Sequence, residues 1–232
     1  MPSTVNNEKT VVKNYFNATG FDRWRRIYGD GEVNKVQADI RVGHQQTIDK
    51  VINWLKADQN LALRSICDAG CGVGSLSIPL AEFGARSVYA SDISEKMVGE
   101  AEERAKAKFG DRPGLKFEAK DLESLTGKYN TVICLDVLIH YPTEDAANMI
   151  AHLASLSEDR LILSFAPKTF WLTILKKIGE FFPGPSKTTR AYQHKEEDIR
   201  RIFIDNGFAI ARTEMTSTSF YYSRLIEAVR LR

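Results

Sequence analysis

The stretch "ICDAGCGVGSLSIPLAEFG", residues Ile66 to Gly84, decides how the rest of the chain is read. A short apolar run leads into an acid, Asp68. A glycine-rich turn follows, and the segment after it reads as a helix closed by Gly84. A turn of this kind at a strand's carboxyl end lets backbone approach a ligand closely, and it is suited to an adenosine-bearing cofactor. Gly70, Gly72 and Gly74 give G-x-G-x-G. The dinucleotide fingerprint wants G-x-G-x-x-G, and its sixth place is Ser75 here. Two cofactor classes therefore compete: one that carries hydride and one that carries a methyl group.

Downstream of Asp68 the pattern alternates strand and helix. "RSICDA" is a strand, "SLSIPLAEFG" a helix and "SVYASD" a second strand. "SEKMVGEAEERAKAKFG" is a helix with Ser94 as its cap and Gly110 at its end. "LKFEAKD" alternates with period two. "YNTVICLDV" is almost wholly apolar, as a strand buried on both faces should be. A helix ("TEDAANMIAHLASLS"), a strand ("DRLILSFAP"), a helix stopped by Gly207 and two closing strands complete the series. The predicted architecture is α/β and Rossmann-like: a seven-stranded, mostly parallel sheet covered by helices, ending in an antiparallel hairpin. Upstream, "VVKNYF", "GFDRWRRIY" and "NKVQADIRVGHQQTIDKVINWL" read as helices. Residues 1–58 are expected to form a helical lid or arm, and residues 59–232 the cofactor-binding domain. An insertion at about 168–194, after the fifth strand, breaks the alternation.

Composition bounds the function classes. The 232 residues suit one domain with a lid or small insertion. With 43% apolar and 27% charged residues and a net charge of +2, there is no general case for nucleic-acid binding. The three cysteines lack zinc-site spacing and read as reduced, intracellular thiols. The opening "MPSTVNNEKT" lacks a basic and then apolar signal, and no run approaches the roughly 18 apolar residues of a membrane span. The expectation is a cytoplasmic protein, with peripheral contact to a membrane surface left open.

Three acids bear on the choice between the two cofactor classes, and two of them separate the classes. Asp92 ends the second strand, twenty residues after Gly72, where a carboxylate accepts from two ribose hydroxyls. Both classes use that acid. Asp121, in "KDL", is placed to accept from the exocyclic amine of adenine, with the N–H of Leu122 donating to the ring. Asp68 beside the turn would repel a pyrophosphate. A zwitterionic amino-acid tail bearing a sulfonium suits it better, its ammonium held by Asp68 or the loop ordered by it.

"CDAGCGVGSLSIPLA", "ASDISEKMV", "KDL" and "YNTVICLDVLIHYP" resemble the successive motifs of class I S-adenosylmethionine-dependent methyltransferases over residues 64 to 165. "YFNATGFDRWRRIYGD", "VNKVQADIRVGH", "FAPKTFWLTILKKIGEFFPGPSKTTRAY" and "GFAIARTEMTSTSFYYSRLIEAVR" are similar to the magnesium-protoporphyrin IX O-methyltransferase family of chlorophyll biosynthesis. The resemblance implies S-adenosylmethionine as cofactor, no protein-bound metal, and magnesium protoporphyrin IX as the substrate that carries the magnesium. Magnesium chelatase is then the upstream enzyme, and the peripheral contact is with photosynthetic membranes.

The resemblance also fills out a site. Besides the glycines and Asp68, Asp92, Asp121 and Leu122, the cofactor set takes Cys71, Ile93, Met97 and Leu135. Tyr15, Ile27 and Tyr28 close it from the lid, and Arg41 and His44 are expected to hold the cofactor carboxylate. His140, just past a strand's carboxyl end, either donates to the substrate carboxylate or neighbours the porphyrin magnesium, with Tyr141 beside it. Tyr28 and His140 are the catalytic candidates. Phe170, Trp171 and Ile174 of the insertion would wall a flat apolar substrate, and Arg190 would meet a propionate. A carboxylate nucleophile, with an unperturbed pKa near about 4.3, needs no strong base. A phenol or quinol acceptor would need one, and His140 is the residue available. A third reading is a non-catalytic cofactor-binding or partner-binding protein.

Overall fold

The computed structural model describes residues 4–29, 31–168 and 192–231, with backbone alone for 4–8 and 19. Three helices come first: α1 (Thr4–Asn17), α2 (Thr19–Ile27) and α3 (Lys35–Ala57). The alternating part follows as β1 (Ser65–Ala69), α4 (Ser77–Glu82), β2 (Ser87–Asp92), α5 (Glu95–Phe109), β3 (Leu115–Ala119) and β4 (Tyr129–Cys134). It continues as α6 (Thr143–Leu156), β5 (Ser157–Phe165), α7 (Glu196–Asp205), β6 (Phe208–Ser217) and β7 (Tyr222–Arg230). The sheet order is β3-β2-β1-β4-β5-β7-β6. Strands β1 to β5 run parallel, and β7 pairs antiparallel with both β5 and β6. The reversal of strand order between β1 and β4 opens a crevice at their carboxyl ends, where such sheets bind ligands.

Period-two alternation sends successive side chains of the central strands to opposite layers. Ile66, Ile133 and Ile162 pack with Val51, Trp54 and Leu55 of α3 and Leu80 of α4. Cys67, Val132, Cys134, Leu161 and Leu163 pack with Met149, Ile150 and Leu153 of α6 and Phe203 of α7. The second half of α3 thus belongs to the core of the sheet. Ile48 to Leu55, expected within the arm over 1–58, complete a sheet face.

Local chemistry explains the element ends. Asn34 and Gln37 form a capping box at the start of α3. Ser94 caps α5, accepting from Met97 N, and Gly110 closes it with φ +66°. Ser94 Oγ also donates to Asn17 Oδ1 at 2.7 Å, which ties the end of α1 to the start of α5. Asp39 on α3 accepts from Thr218 Oγ1 and Phe220 N, both at 2.6 Å, and so fixes the turn between β6 and β7 against α3. The Tyr221 ring then crosses α3 at Gly43, where a Cβ would lie 2.3 Å from it.

All three cysteines are buried and free. No helix among the described residues is long and apolar enough to cross a membrane. The expected insertion falls almost wholly at 169–191, outside the described residues, and Phe170, Trp171, Ile174 and Arg190 lie there. Its described flanks meet at the carboxyl end of β5: Pro167 bridges His194, and Tyr192 N donates to Ile139 O at 2.7 Å.

Candidate active site

The turn after β1 is set by its glycines. Gly70, Gly72 and Gly74 have φ of +88°, +53° and +80°, a region that costs other residues strain. A Cβ on Gly70 would lie 2.2 Å from Val137 Cγ2, whereas at Gly72 nothing lies within 4 Å. The backbone at Gly72 therefore borders open space. Asp92, at the end of β2, faces it. Its Oδ2 accepts from Gly72 N at 3.0 Å and its Oδ1 from Ser94 N at 2.8 Å. Each oxygen keeps a further lone pair, the pair of acceptors that two ribose hydroxyls require. Burial raises the Asp92 carboxyl above its ordinary value, and the N–H groups of Ser94 and Gly72 act against that.

Asp68 lies beneath the turn, 2% exposed, and accepts from Ser77 Oγ. Burial pushes its carboxyl up to about 6, partly offset by the Ser77 hydrogen bond. Because the folded value lies above the unfolded one, Asp68 favours the fold most below pH 4, and that stability is lost as pH rises through 6. The loss is at most roughly 3 kcal/mol. Asp68→Asn, which still accepts from Ser77, is therefore expected to gain stability relative to wild type as pH rises from 4 to 7. Urea unfolding across that range checks it. A stability difference that does not change with pH would contradict the assignment.

A cavity of about 290 Å³ opens at the carboxyl ends of β1, β2 and β4. One wall is Gly70, Cys71, Gly72, Asp92, Ile93 and Met97, with Leu122 and Leu135. The helical arm supplies Tyr15, Phe16, Trp24 and Tyr28, and α3 supplies His44. His140 and Tyr141 line it after β4, Phe220 and Tyr221 come from the hairpin turn, and Tyr222 from the start of β7. Aromatic faces thus surround much of the space, an arrangement that favours a cation.

His140 Nδ1 is buried without a hydrogen-bond partner, and its ring meets Phe16 edge-on at 5.3 Å. Burial pulls the imidazole down to about 4, against the pull of the Asp136 charge. It is a neutral group at neutral pH. Tyr28 stacks on His44 with ring centroids 4.1 Å apart. Burial, followed by the Asp136 charge, raises its phenol well above the ordinary value, so it stays protonated.

The sequence reading passed over Asp136 and Tyr221. Asp136 follows β4 at φ +58°. His44 Nδ1 lies 2.8 Å from its Oδ2, Tyr221 Oη donates to Oδ2 at 2.8 Å, and Ser164 Oγ donates to Oδ1 at 2.9 Å. Burial alone would raise the Asp136 carboxyl, but the hydrogen bonds and charge of His44, with Tyr221 and Ser164, hold it below its ordinary value. Asp136 carries a signal in the sequence: like Asp68 and Asp92, it is an acid in or after an apolar strand. Tyr221 carries none.

Five expected residues stand off the cavity wall. Gly74 packs on Ile78 and Ala101. Asp68 sits under the turn, and Ile27 is fully buried beside Val36 and Ile40. Arg41 does not reach the cavity, because its donors go to the carbonyls of Arg26, Ile27 and Gly31. The Asp121 carboxylate accepts from Ser124 N at 2.9 Å and pairs with Lys9 at 3.2 Å, and it faces a second cavity that shares Ile93 with the first.

Comparisons with known proteins place the fold and the sequence in one family. The family described as "Magnesium-protoporphyrin IX methyltransferase C-terminus" matches residues 134–230, and a general "Methyltransferase domain" family matches residues 66–159. The chain is 69% identical to a magnesium-protoporphyrin O-methyltransferase of Synechocystis, over 99% of this chain and 100% of that one. It is 60% identical to the chloroplastic magnesium protoporphyrin IX methyltransferase of Arabidopsis thaliana, over 96% of this chain and 71% of the relative. A crystal structure of the magnesium protoporphyrin IX methyltransferase from Synechocystis PCC 6803, with bound S-adenosylhomocysteine, superposes with a TM-score of 0.88. It is 68% identical and covers 97% of this chain and 100% of that one.

Proposed function

Because the chain belongs to the magnesium-protoporphyrin O-methyltransferase family, we infer that it methylates one propionate carboxylate of magnesium protoporphyrin IX, giving the monomethyl ester. The observation that carries this reading is identity at 69% along essentially the whole of both chains, arm and hairpin turn included. The cavity supports it independently, with a ribose-type acceptor on one wall and aromatic side chains on the other.

When bound, S-adenosylmethionine supplies a methyl group on a cationic sulfur, which passes to the carboxylate oxygen as the carbon–sulfur bond breaks. Asp92 accepts from the ribose hydroxyls, and Gly72 lets the backbone lie against the ligand. Ile93, Met97, Leu122 and Leu135 pack on the nucleoside. His44, whose Nδ1 lies 2.8 Å from Asp136, would hold the cofactor carboxylate through its other ring nitrogen. The propionate is already ionised at neutral pH, so His140 and Tyr28 orient it rather than deprotonate it. Their contribution is approximation, which supplies up to roughly 7–11 kcal/mol in well-oriented reactions. The arm excludes water when it covers the cavity. The magnesium arrives on the porphyrin, which places a magnesium chelatase reaction upstream.

Incubation with labelled S-adenosylmethionine and magnesium protoporphyrin IX tests the substrate. Label appearing only on an added quinol would overturn it. Tyr28→Phe and His140→Ala are each expected to lower turnover about ten- to a hundredfold with little change in S-adenosylhomocysteine affinity. With His140 neutral above about pH 4, turnover should show no histidine limb between pH 6 and 8. Single-turnover rates across pH check this. Rescue of His140→Ala by raising pH would point to base catalysis instead.

A further inference from the structure

Helix α2 ends without the glycine that closes α5. The last four carbonyls of an α-helix have no partner inside it. In α2 the N–H of Tyr28 bonds back to the Trp24 carbonyl, which leaves the carbonyls of Arg25, Arg26, Ile27 and Tyr28. Each of these accepts from an arginine of another element. Arg41, on α3, donates through Nε to Ile27 at 3.0 Å and through Nη2 to Arg26 at 2.6 Å. The same Nη2 reaches Gly31 O at 2.6 Å, beyond the helix end. Arg104, on α5, donates through Nη1 to Tyr28 O at 3.2 Å and through Nη2 to Arg25 O at 3.4 Å. Glu100 braces Arg104 at 2.8 Å. Gly29 leaves room for the arrangement, since a Cβ there would stand 2.6 Å from Arg104 Nη2.

A helix of nine residues does not hold itself in water. Cations at its carboxyl end also meet the negative pole of its dipole. The direction of α2 is therefore set by its neighbours, by α1 through the Trp24 Nε1 bond to Tyr15 Oη at 3.1 Å and by α3 and α5 through these arginines at its carboxyl end, and with it the place of Tyr28. We propose that Arg41 and Arg104 are positioning residues for the methyl transfer: by capping α2 from two sides they set Tyr28 against His44 at the mouth of the cavity. This rests on the role given to Tyr28 above. Lysine does not replace either arginine, because an ammonium lacks the planar fork that serves two carbonyls at once.

The test is a double-mutant cycle on single-turnover rates, with S-adenosylmethionine and magnesium protoporphyrin IX saturating. Arg104→Met and Arg41→Met are each combined with Tyr28→Phe, and thermal midpoints are measured for all. Arg104→Met is expected to lower the rate about tenfold in the wild-type background and less than about twofold beside Tyr28→Phe. Arg104→Lys should rescue little of the loss. Equal losses in both backgrounds, alongside an intact Tyr28→Phe effect, would overturn the positioning role alone. If Tyr28→Phe leaves the rate unchanged, the reading of Tyr28 falls and the clamp's role in turnover falls with it. Arg41 also packs within the arm, so its variant risks misfolding, and Arg104→Met carries the test in that event.

Discussion

Replacing Asp92 with alanine is expected to weaken S-adenosylhomocysteine binding by roughly 100- to 10,000-fold, while the folded chain persists. Two hydrogen bonds from ribose hydroxyls to a carboxylate are at stake, each worth about 1.5–3 kcal/mol when charge-assisted. The loss extends into the protein. Gly72 N and Ser94 N both donate to this carboxylate, so alanine also releases the glycine turn that borders the cavity. Asp92→Asn should fall between, because one of its two terminal atoms becomes a donor and faces an N–H group. Titration calorimetry measures the affinities, and circular dichroism checks the fold. Unchanged affinity in a folded Asp92→Ala chain would remove the residue from the site.

The largest loss of stability is expected at Asp136. It gathers His44 from α3, Ser164 from β5 and Tyr221 from the hairpin turn onto one carboxylate. Removing one member of such a buried, hydrogen-bonded set leaves the others without partners and costs roughly 3–5 kcal/mol. Alanine is also disfavoured at φ +58°, which aspartate and asparagine tolerate better. The midpoint of Asp136→Ala should drop by about 6–20 °C for a chain of this size. Asp136→Asn should drop by less. The pH dependence has a definite sign. The folded carboxyl lies below its ordinary value, so its stabilisation is present at neutral pH and lost as pH falls below 4. The gap between Asp136→Asn and wild type should accordingly close in acid. Scanning calorimetry at pH 7 and at about pH 2.5 measures it, and a gap that is constant with pH would exclude the carboxylate as its cause.

What the sequence made legible was local in the chain. The glycine turn, Asp92, the Ser94 cap and Gly110 lie within one strand–helix–strand unit, and each is dictated by backbone conformation or by an unsatisfied helix end. The apolar run "TVIC" announces a strand buried on both faces and becomes β4, with burial to match. The start of α1 was less legible: the helix begins at Thr4, seven residues before the apolar "VVKNYF" pattern, because the polar residues there carry no periodicity. The parts of the site made by tertiary structure were not legible. Tyr221 and Asp136 are 85 positions apart, joined only once β7 lies beside β5. Arg41 reads as a cation ahead of a cofactor fold, and nothing local shows that a helix end consumes its donors.

The position of β7 has a consequence for biosynthesis. It lies between β5 and β6, so the penultimate strand waits for the last one before it can join the sheet. A nascent chain that has emerged through β6 carries β5 as an exposed edge, a template for wrong pairing. It also lacks Tyr221, the hairpin's plug at Gly43. Contacts that span so much of the chain form slowly, since their loop-closure entropy comes before their reward. The hairpin turn that finishes the cavity depends on Tyr222–Arg230 pairing with β5 and β6, so methyl transfer is expected only once those residues have left the ribosome and joined the sheet.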